Sequence, residues 1–158
     1  MKKILSLIAA LAFVATASAQ VISTYDFEDG KAPEKWGVWM NKTNNVTDKA
    51  KDGKYALEVK VGTYFNFNVP EPKTTYKVSM DLNHIWGPDP ASIVVAFYNP
   101  KIKKLEELKR VEISSERGYK HYDVEFKTKV QGYHRVTIST GKSGSDIYVD
   151  NVKVEKIK

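Results

Sequence analysis

The chain has 158 residues and a formal net charge of +6, with 25 Lys and Arg against 19 Asp and Glu. It contains no cysteine, which excludes disulfides and a lipid-modified cysteine near the start of the chain. Basic and acidic residues are mixed along the chain without a long block of one sign, which argues against a nucleic-acid-binding surface.

The start of the chain has the three parts of a secretory signal peptide. Two lysines follow the first methionine, Ile4–Val14 is an apolar run, and Ala17-Ser-Ala19 is a cleavage signal. The apolar run is shorter than the roughly 20 residues of a membrane-spanning helix. We therefore predict a signal peptide at residues 1–19, a secreted or periplasmic protein with no membrane span, and one domain at residues 20–158.

Strands are predicted where apolar and polar residues alternate. In chain order these segments are Tyr25–Glu28, Tyr55–Val61, Tyr64–Val69, Thr75–Asn83, Tyr122–Phe126, Tyr133–Ile138 and Asp146–Lys158. Ile93–Tyr98 is apolar on both faces, which predicts a central strand. Lys101–Ile113 fits the spacing of a helix and that of a strand, so we expect a turn or short helix and then a strand from about Leu108.

About eight or nine short strands, separated by Gly, Pro, Asn and Asp, are typical of an antiparallel sandwich or barrel. We predict an all-β protein, a two-sheet antiparallel jelly-roll β-sandwich with its first and last strands adjacent. The inward positions of the strands predict a core that includes Tyr76, Val78, Met80, Phe126, Val136 and Ile138.

The last strand carries a carboxylate among apolar residues. Strict alternation puts Asp150 on the same face as Tyr148 and Val152. A buried carboxylate is costly unless a partner stabilises it. A metal ion, or backbone N–H groups at a strand end, would serve, and the acidic first strand lies close by in the predicted fold.

A series of short motifs runs through the chain in a characteristic order. They are Phe27-Glu-Asp-Gly30, a tryptophan loop, Lys51-Asp-Gly-Lys-Tyr-Ala-Leu57, Thr75-Tyr-Lys-Val-Ser79 and Tyr148-Val-Asp-Asn-Val152. This series resembles jelly-roll carbohydrate-binding modules of the family 4, 9 and 22 type, in the galactose-binding-domain-like superfamily. The resemblance covers nearly all of residues 20–158. It implies a protein that binds a poly- or oligosaccharide by aromatic stacking and hydrogen bonds.

The resemblance also implies a structural calcium ion between the first and last strands, where modules of this type often hold one. Calcium takes oxygen ligands from carboxylates, carbonyls and water. By position, Glu28 and Asp150 match best, with Asp26 in reserve. The alternative is that Asp150 accepts backbone N–H bonds and Glu28 is simply exposed.

A sugar site needs aromatic rings for the apolar sugar faces and polar groups for the hydroxyls. Two surfaces offer both. The candidates on the outward face of the sheet are Lys77, Asp81, Tyr98, Tyr133 and Arg135, and those on the loop rim are Trp36, Trp39 and Trp86. The alternatives are an ordinary solvated sheet face and a rim tryptophan that plugs the end of the core.

The sequence contains neither Gly-x-Ser-x-Gly nor His-Glu-x-x-His, and its three histidines lack the spacing of metal ligands. Asp81, Asp123 and Glu125 could be carboxylates on one face of a sheet, but any sheet face carries such pairs by chance. We therefore expect no enzymatic activity. The alternative function is that of a structural or adhesion protein of the cell envelope, which would use the same sandwich to bind envelope proteins.

Overall fold

The computed structural model describes residues 19–38, 45–59, 62–87, 90–140 and 146–157, and every structural statement concerns these residues. Residues 1–18 of the predicted signal peptide lie outside the described residues, and so does Trp39. No helix in the described ranges is long and apolar enough to cross a membrane. The strands are β1 Gln20–Tyr25, β2 Trp36–Val38, β3 Asn45–Thr47, β4 Ala56–Val59, β5 Thr63–Val69, β6 Thr75–Trp86, β7 Ala91–Asn99, β8 Lys104–Ile113, β9 Tyr119–Lys127, β10 Gly132–Ser139 and β11 Asp146–Lys156.

These strands form two sheets in which all neighbours are antiparallel. The first sheet has the order β3-β4-β11-β6-β9, with β1 also paired to β11, and the second has the order β2-β5-β10-β7-β8. The predicted fold class is confirmed. So is the adjacency of the first and last strands, which pair from Gln20 opposite Lys156 to Tyr25 opposite Val152, although the first strand ends at Tyr25, where the predicted one began.

The core lies between the two sheets and is filled by alternate side chains of their strands. On β6, for example, Val78, Met80 and Leu82 are fully buried, while the intervening side chains point to the other side of the sheet. The predicted core residues are all buried, namely Tyr76, Val78, Met80, Phe126, Val136 and Ile138. The alternation of the sequence therefore predicted the inward face of these strands correctly.

The last strand departs from strict alternation at one point. Its pairing with β6 shifts between Asp150 and Lys153, and Asn151 has a φ of 51°. This bulge puts Val149 and Val152 on the same inward side, three positions apart instead of two. The prediction that Asp150 shares a face with Val152 is therefore wrong, because Asp150 follows an inward residue and lies on the outer face of the first sheet.

The ambiguous segment after β7 is a strand almost throughout. β8 pairs with β7 from Lys104 opposite Asn99 to Ile113 opposite Ala91, and only a turn precedes it. The short helix that its spacing allowed is absent from this segment, and the strand begins before Leu108. Hydrogen bonds to the whole length of β7 stabilise this segment as a strand. A helix here would be too short to be stable, because only a few residues have helical spacing. β7 lies between β10 and β8, as predicted for a central strand.

One histidine is part of the core. His134 on β10 is fully buried, and its ring lies against those of Phe67, Phe97 and Phe126, with centroids 5.8 to 6.4 Å apart. Its Nδ1 is 3.0 Å from the carbonyl oxygen of Gly132, while Nε2 has no hydrogen-bond partner among the described residues. Burial lowers the pKa of His134, and the contact with the Gly132 carbonyl offsets only part of that effect.

Acidification should destabilise the fold through His134. The unfolded pKa is about 6.5, and the folded pKa is lower, so between the two values the unfolded state binds more protons. The free energy of unfolding should therefore fall as the pH drops below about 6.5, by at most about 1.4 kcal/mol per pH unit. Urea unfolding at a series of pH values measures this fall. Above about pH 5, where Asp and Glu side chains stay ionised, this fall should be absent in His134→Phe and present in Phe67→Leu, an uncharged substitution of a neighbouring ring. A fall in this pH range that persists in His134→Phe would contradict the assignment.

Candidate functional site

The predicted sheet-face residues lie on two opposite outer faces of the sandwich. Lys77 and Asp81 alternate with core residues of β6, so they lie on the outside of the first sheet. Tyr98, Tyr133 and Arg135 alternate with core residues of β7 and β10, so they lie on the outside of the second sheet. The prediction of one common surface is therefore wrong, because the whole core separates the two groups.

On the second sheet the strand register brings an aromatic group together. His134 follows Tyr133 on β10, and Phe97 precedes Tyr98 on β7. Because His134 and Phe97 are opposite each other, Tyr133 lies next to Tyr98. Tyr98 is in turn opposite Leu105. The two tyrosine side chains are 42% and 43% exposed. We call this surface the tyrosine face; it consists of Tyr64, Asn66, Tyr98, Leu105, Tyr133 and Arg135.

The tyrosine face contains a shallow depression. Its volume is about 500 Å³, which is within the range of small-ligand sites. It is lined by Tyr98, Lys103, Lys104, Leu105, Tyr133 and Arg135. A depression with rings at its sides and hydrogen-bond donors beside them has the two kinds of group that a sugar requires.

Arg135 is held in place by uncharged neighbours. Its Nε donates to Oδ1 of Asn66 at 3.0 Å, and its Nη2 donates to the hydroxyl of Tyr133 at 3.2 Å. The guanidinium carbon is 3.9 Å from the centroid of the Tyr64 ring, a distance at which the cation and the ring attract each other. Three side chains therefore fix the orientation of Arg135, and no carboxylate of the described residues forms an ion pair with it.

The outer face of the first sheet has a different character, because charged groups around Lys77 and Asp81 are paired with each other. Asp81 is almost fully buried and accepts hydrogen bonds from Nζ of Lys51 at 3.1 Å and Nδ2 of Asn151 at 3.0 Å. Nδ1 of His121 is 2.9 Å from its other oxygen. Burial raises the pKa of Asp81, but the bonds from Asn151, His121 and Lys51 outweigh it and the pKa is lowered.

Lys77 is paired in the same way. Its Nζ is 3.2 Å from Oε1 of Glu155 and 3.4 Å from Oδ1 of Asp123. The hydrogen bond to Glu155 is the main cause of the raised pKa of Lys77. The side chains of Lys77 and Asp81 are therefore engaged with protein partners, and a ligand would have to displace these partners to reach them.

The predicted calcium ligands accept backbone N–H groups. Oδ2 of Asp150 accepts from the amides of Lys51 and Asp52 at 3.0 and 3.2 Å, and Glu28 accepts from those of Lys54 and Tyr55 at 3.0 to 3.1 Å. These hydrogen bonds attach residues 51–55 to the segment that follows β1, through Glu28, and to β11, through Asp150.

N–H donors are not calcium ligands, since calcium binds oxygen. Asp26 accepts a bond from the amide of Glu28. The described part of the chain contains no cluster of three or more His, Asp and Glu side chains that could hold a metal. Asp150 accepts backbone N–H bonds, as in the alternative to a metal, and calcium stays a prediction.

The two described tryptophans have opposite environments. Trp36 is 6% exposed; its ring stacks on Phe65 with centroids 4.7 Å apart and meets Tyr25 and Phe27 edge-on. The rim position is therefore wrong for Trp36, and the alternative of a tryptophan that fills part of the core is the one the structure shows. Trp86 is 65% exposed at the end of β6, on the rim as predicted. The length of β7 separates Trp86 from Tyr98, so the two belong to different surfaces.

Sequence reasoning missed part of the tyrosine face. Tyr64 and Asn66 precede and follow the inward residue Phe65 on β5, and they adjoin Arg135 through the pairing of β5 with β10. Leu105 and the two lysines before it belong to the segment whose structure was ambiguous. The outward alternation of β5 was visible in the sequence, but its partner strand was not.

Solved structures share this arrangement of strands. The xylan-binding family 22 module of Paenibacillus barcinonensis Xyn10C is similar to this chain, with a TM-score of 0.68 and 13% identity over 89% of this chain and 97% of the module. This chain shares the fold of that module. A family 16 module gives a TM-score of 0.60 at 16% identity, covering 82% of this chain and 94% of that one.

A third carbohydrate-binding module, TmCBM61 in complex with β-1,4-galactotriose, gives a TM-score of 0.55 at 17% identity and covers 84% of this chain and 94% of its own. No protein-family model matches the sequence. No curated protein matches it either. The relation to carbohydrate-binding modules is therefore one of fold, at sequence identities too low to carry over any ligand.

Proposed function

We propose that the protein binds a glycan on the tyrosine face and performs no chemistry on it. The observation that carries the proposal is the pair of half-exposed rings of Tyr98 and Tyr133 beside an arginine with a fixed orientation. Structures of similar fold include modules described as binding xylan or β-1,4-galactotriose, which supports a polysaccharide or oligosaccharide as the ligand. Export through the predicted signal peptide would bring the protein to such polymers.

The two rings suit the apolar faces of successive sugar units. Sugar rings carry C–H groups on their faces and hydroxyls at their edges, so an aromatic plane contacts the face while polar groups reach the edge. Asn66 and Arg135 lie beside Tyr133 to supply those polar groups. Each ring contributes on the order of 1 kcal/mol beyond simple burial. The binding free energy per sugar unit should therefore be small, and it should add up along a glycan of several units.

Alanine substitutions should locate the site. Tyr98→Ala and Tyr133→Ala should each weaken binding about five-fold, which corresponds to the loss of one ring contact. The ligand is the glycan that a glycan array returns for the wild-type protein, and the measurement is titration calorimetry after circular dichroism has confirmed folding. Tyr148→Ala is the matched control, because Tyr148 lies on the outer face of the first sheet, and it should bind like wild type.

Other outcomes distinguish the surfaces. Loss of binding in Tyr148→Ala, with both tyrosine-face variants unchanged, would place the site on the first sheet. Trp86→Ala tests the loop rim in the same titration. The Trp86 ring is the most exposed of the large apolar side chains described. If all four variants bind like wild type, the tyrosine face is not the site.

A further inference from the structure

The charged groups around the depression on the tyrosine face all have the same sign. Its charged lining residues are Lys103, Lys104 and Arg135, and no Asp or Glu lines it. Several other cations on the described surface lie next to carboxylates. Arg110, on the same sheet, forms a two-point contact with Glu107, whose oxygens lie 3.2 and 2.6 Å from its Nε and Nη2.

Arg135 differs from Arg110 in the partners that hold it. Its contacts are an amide, a hydroxyl and an aromatic ring, so no carboxylate of the described residues neutralises it. A guanidinium has more N–H donors than these contacts use, and they lie in one plane that matches a carboxylate. Because the orientation is already fixed, little conformational freedom is left to lose when an acid binds.

We propose that the tyrosine face selects acidic glycans, in which the carboxylate of a uronic acid unit pairs with Arg135. This rests on the proposed function, because it names the class of glycan held on the same face. Tyr98 and Tyr133 receive the sugar faces, and the neighbouring uronate carboxylate meets the free N–H groups of the guanidinium. Lys103 and Lys104 add long-range attraction for a polymer that carries many acids.

Two matched pairs of polymers test the proposal. The first is polygalacturonate with its carboxyl-reduced form, and the second is glucuronoxylan with the same xylan freed of its uronic acid. Affinity electrophoresis or calorimetry should show the wild type binding the acidic member of at least one pair about ten-fold more tightly. Raising the salt concentration from about 50 to about 500 mM should reduce this preference.

Variants separate a specific contact from general attraction by a basic protein. Arg135→Gln should abolish the preference, and Arg135→Lys should retain only part of it, because lysine keeps the charge and loses the planar fork. The matched control is Arg110→Gln, which removes one positive charge from the same sheet and should leave the preference unchanged. Equal losses in Arg135→Gln and Arg110→Gln would overturn the proposal in favour of non-specific attraction.

The test also separates this inference from the proposed function. If the wild type binds both members of a pair equally and Tyr98→Ala weakens both, the glycan site stands and its selectivity for acids is disproved. If the wild type binds no member of either pair, the selectivity is likewise disproved, and the tyrosine variants with the array-selected glycan decide the function. Melting temperatures of all variants near that of wild type confirm that losses of binding are not losses of fold.

Discussion

Replacing Trp36 by alanine should lower the free energy of unfolding by about 3–5 kcal/mol, the cost of deleting a large buried ring. The Trp36 ring fills the space between Phe65, Tyr25 and Phe27, and a cavity would remain because these rings belong to different strands and loops. Urea unfolding followed by circular dichroism measures the loss.

Trp86→Ala is the matched control for Trp36→Ala. It removes the same side chain from an exposed position, so its effect on stability should lie within about 0.5 kcal/mol. Trp36→Phe, which keeps a ring in the core, should bind glycan as tightly as wild type once it is folded. Losses of similar size in the two alanine variants, or a folded Trp36→Phe that no longer binds, would contradict the placement of Trp36 in the core.

The second large effect should follow from Asp150→Ala, which we expect to cost about 2–4 kcal/mol. The carboxylate accepts the amides of Lys51, Asp52 and Asn151, and alanine would leave these N–H groups without their acceptor. The 51–55 segment would then lose its hydrogen bonds to Asp150, while those to Glu28 and Asp81 would remain. Thermal or urea unfolding measures the cost.

The same variant tests the calcium prediction. An ion that binds only the folded state stabilises it by about 2.7 kcal/mol at a hundredfold excess over its dissociation constant. If calcium is bound, a chelator should lower the melting temperature of the wild type and should leave the melting temperature of Asp150→Ala unchanged. A wild type whose melting temperature is unaffected by the chelator counts against calcium and leaves the backbone amides as the partners of Asp150.

The sequence predicted the fold well because alternation reports directly which side chains face the core. The core positions of β6, such as Val78 and Met80, follow from a period of two and need no knowledge of the partner strands. The bulge at Asp150 and Asn151 was not predictable in this way. It depends on a shift in the register between β11 and β6, and this shift puts Asp150 and Val152 on opposite faces of the sheet.

The candidate site was harder to predict than the fold, because alternation tells inside from outside but does not tell one sheet from the other. β6 and β7 are consecutive in the chain, yet they lie in different sheets. Asp81 and Tyr98 were therefore assigned to one surface although they lie on opposite sides of the molecule. Trp36 shows a second limit, since the burial of a loop aromatic depends on distant partners such as Phe65.

The position of β11 has a consequence for the way the molecule folds. One side of this strand pairs with β6, and the other side pairs with β4 at Ile147–Val149 and with β1 from Val152 onward. The first sheet therefore cannot close until residues 146–156 have been synthesised. Until then the edges of β1, β4 and β6 stay open to pairing with other chains. Such non-local pairing places folding in the range of milliseconds to seconds.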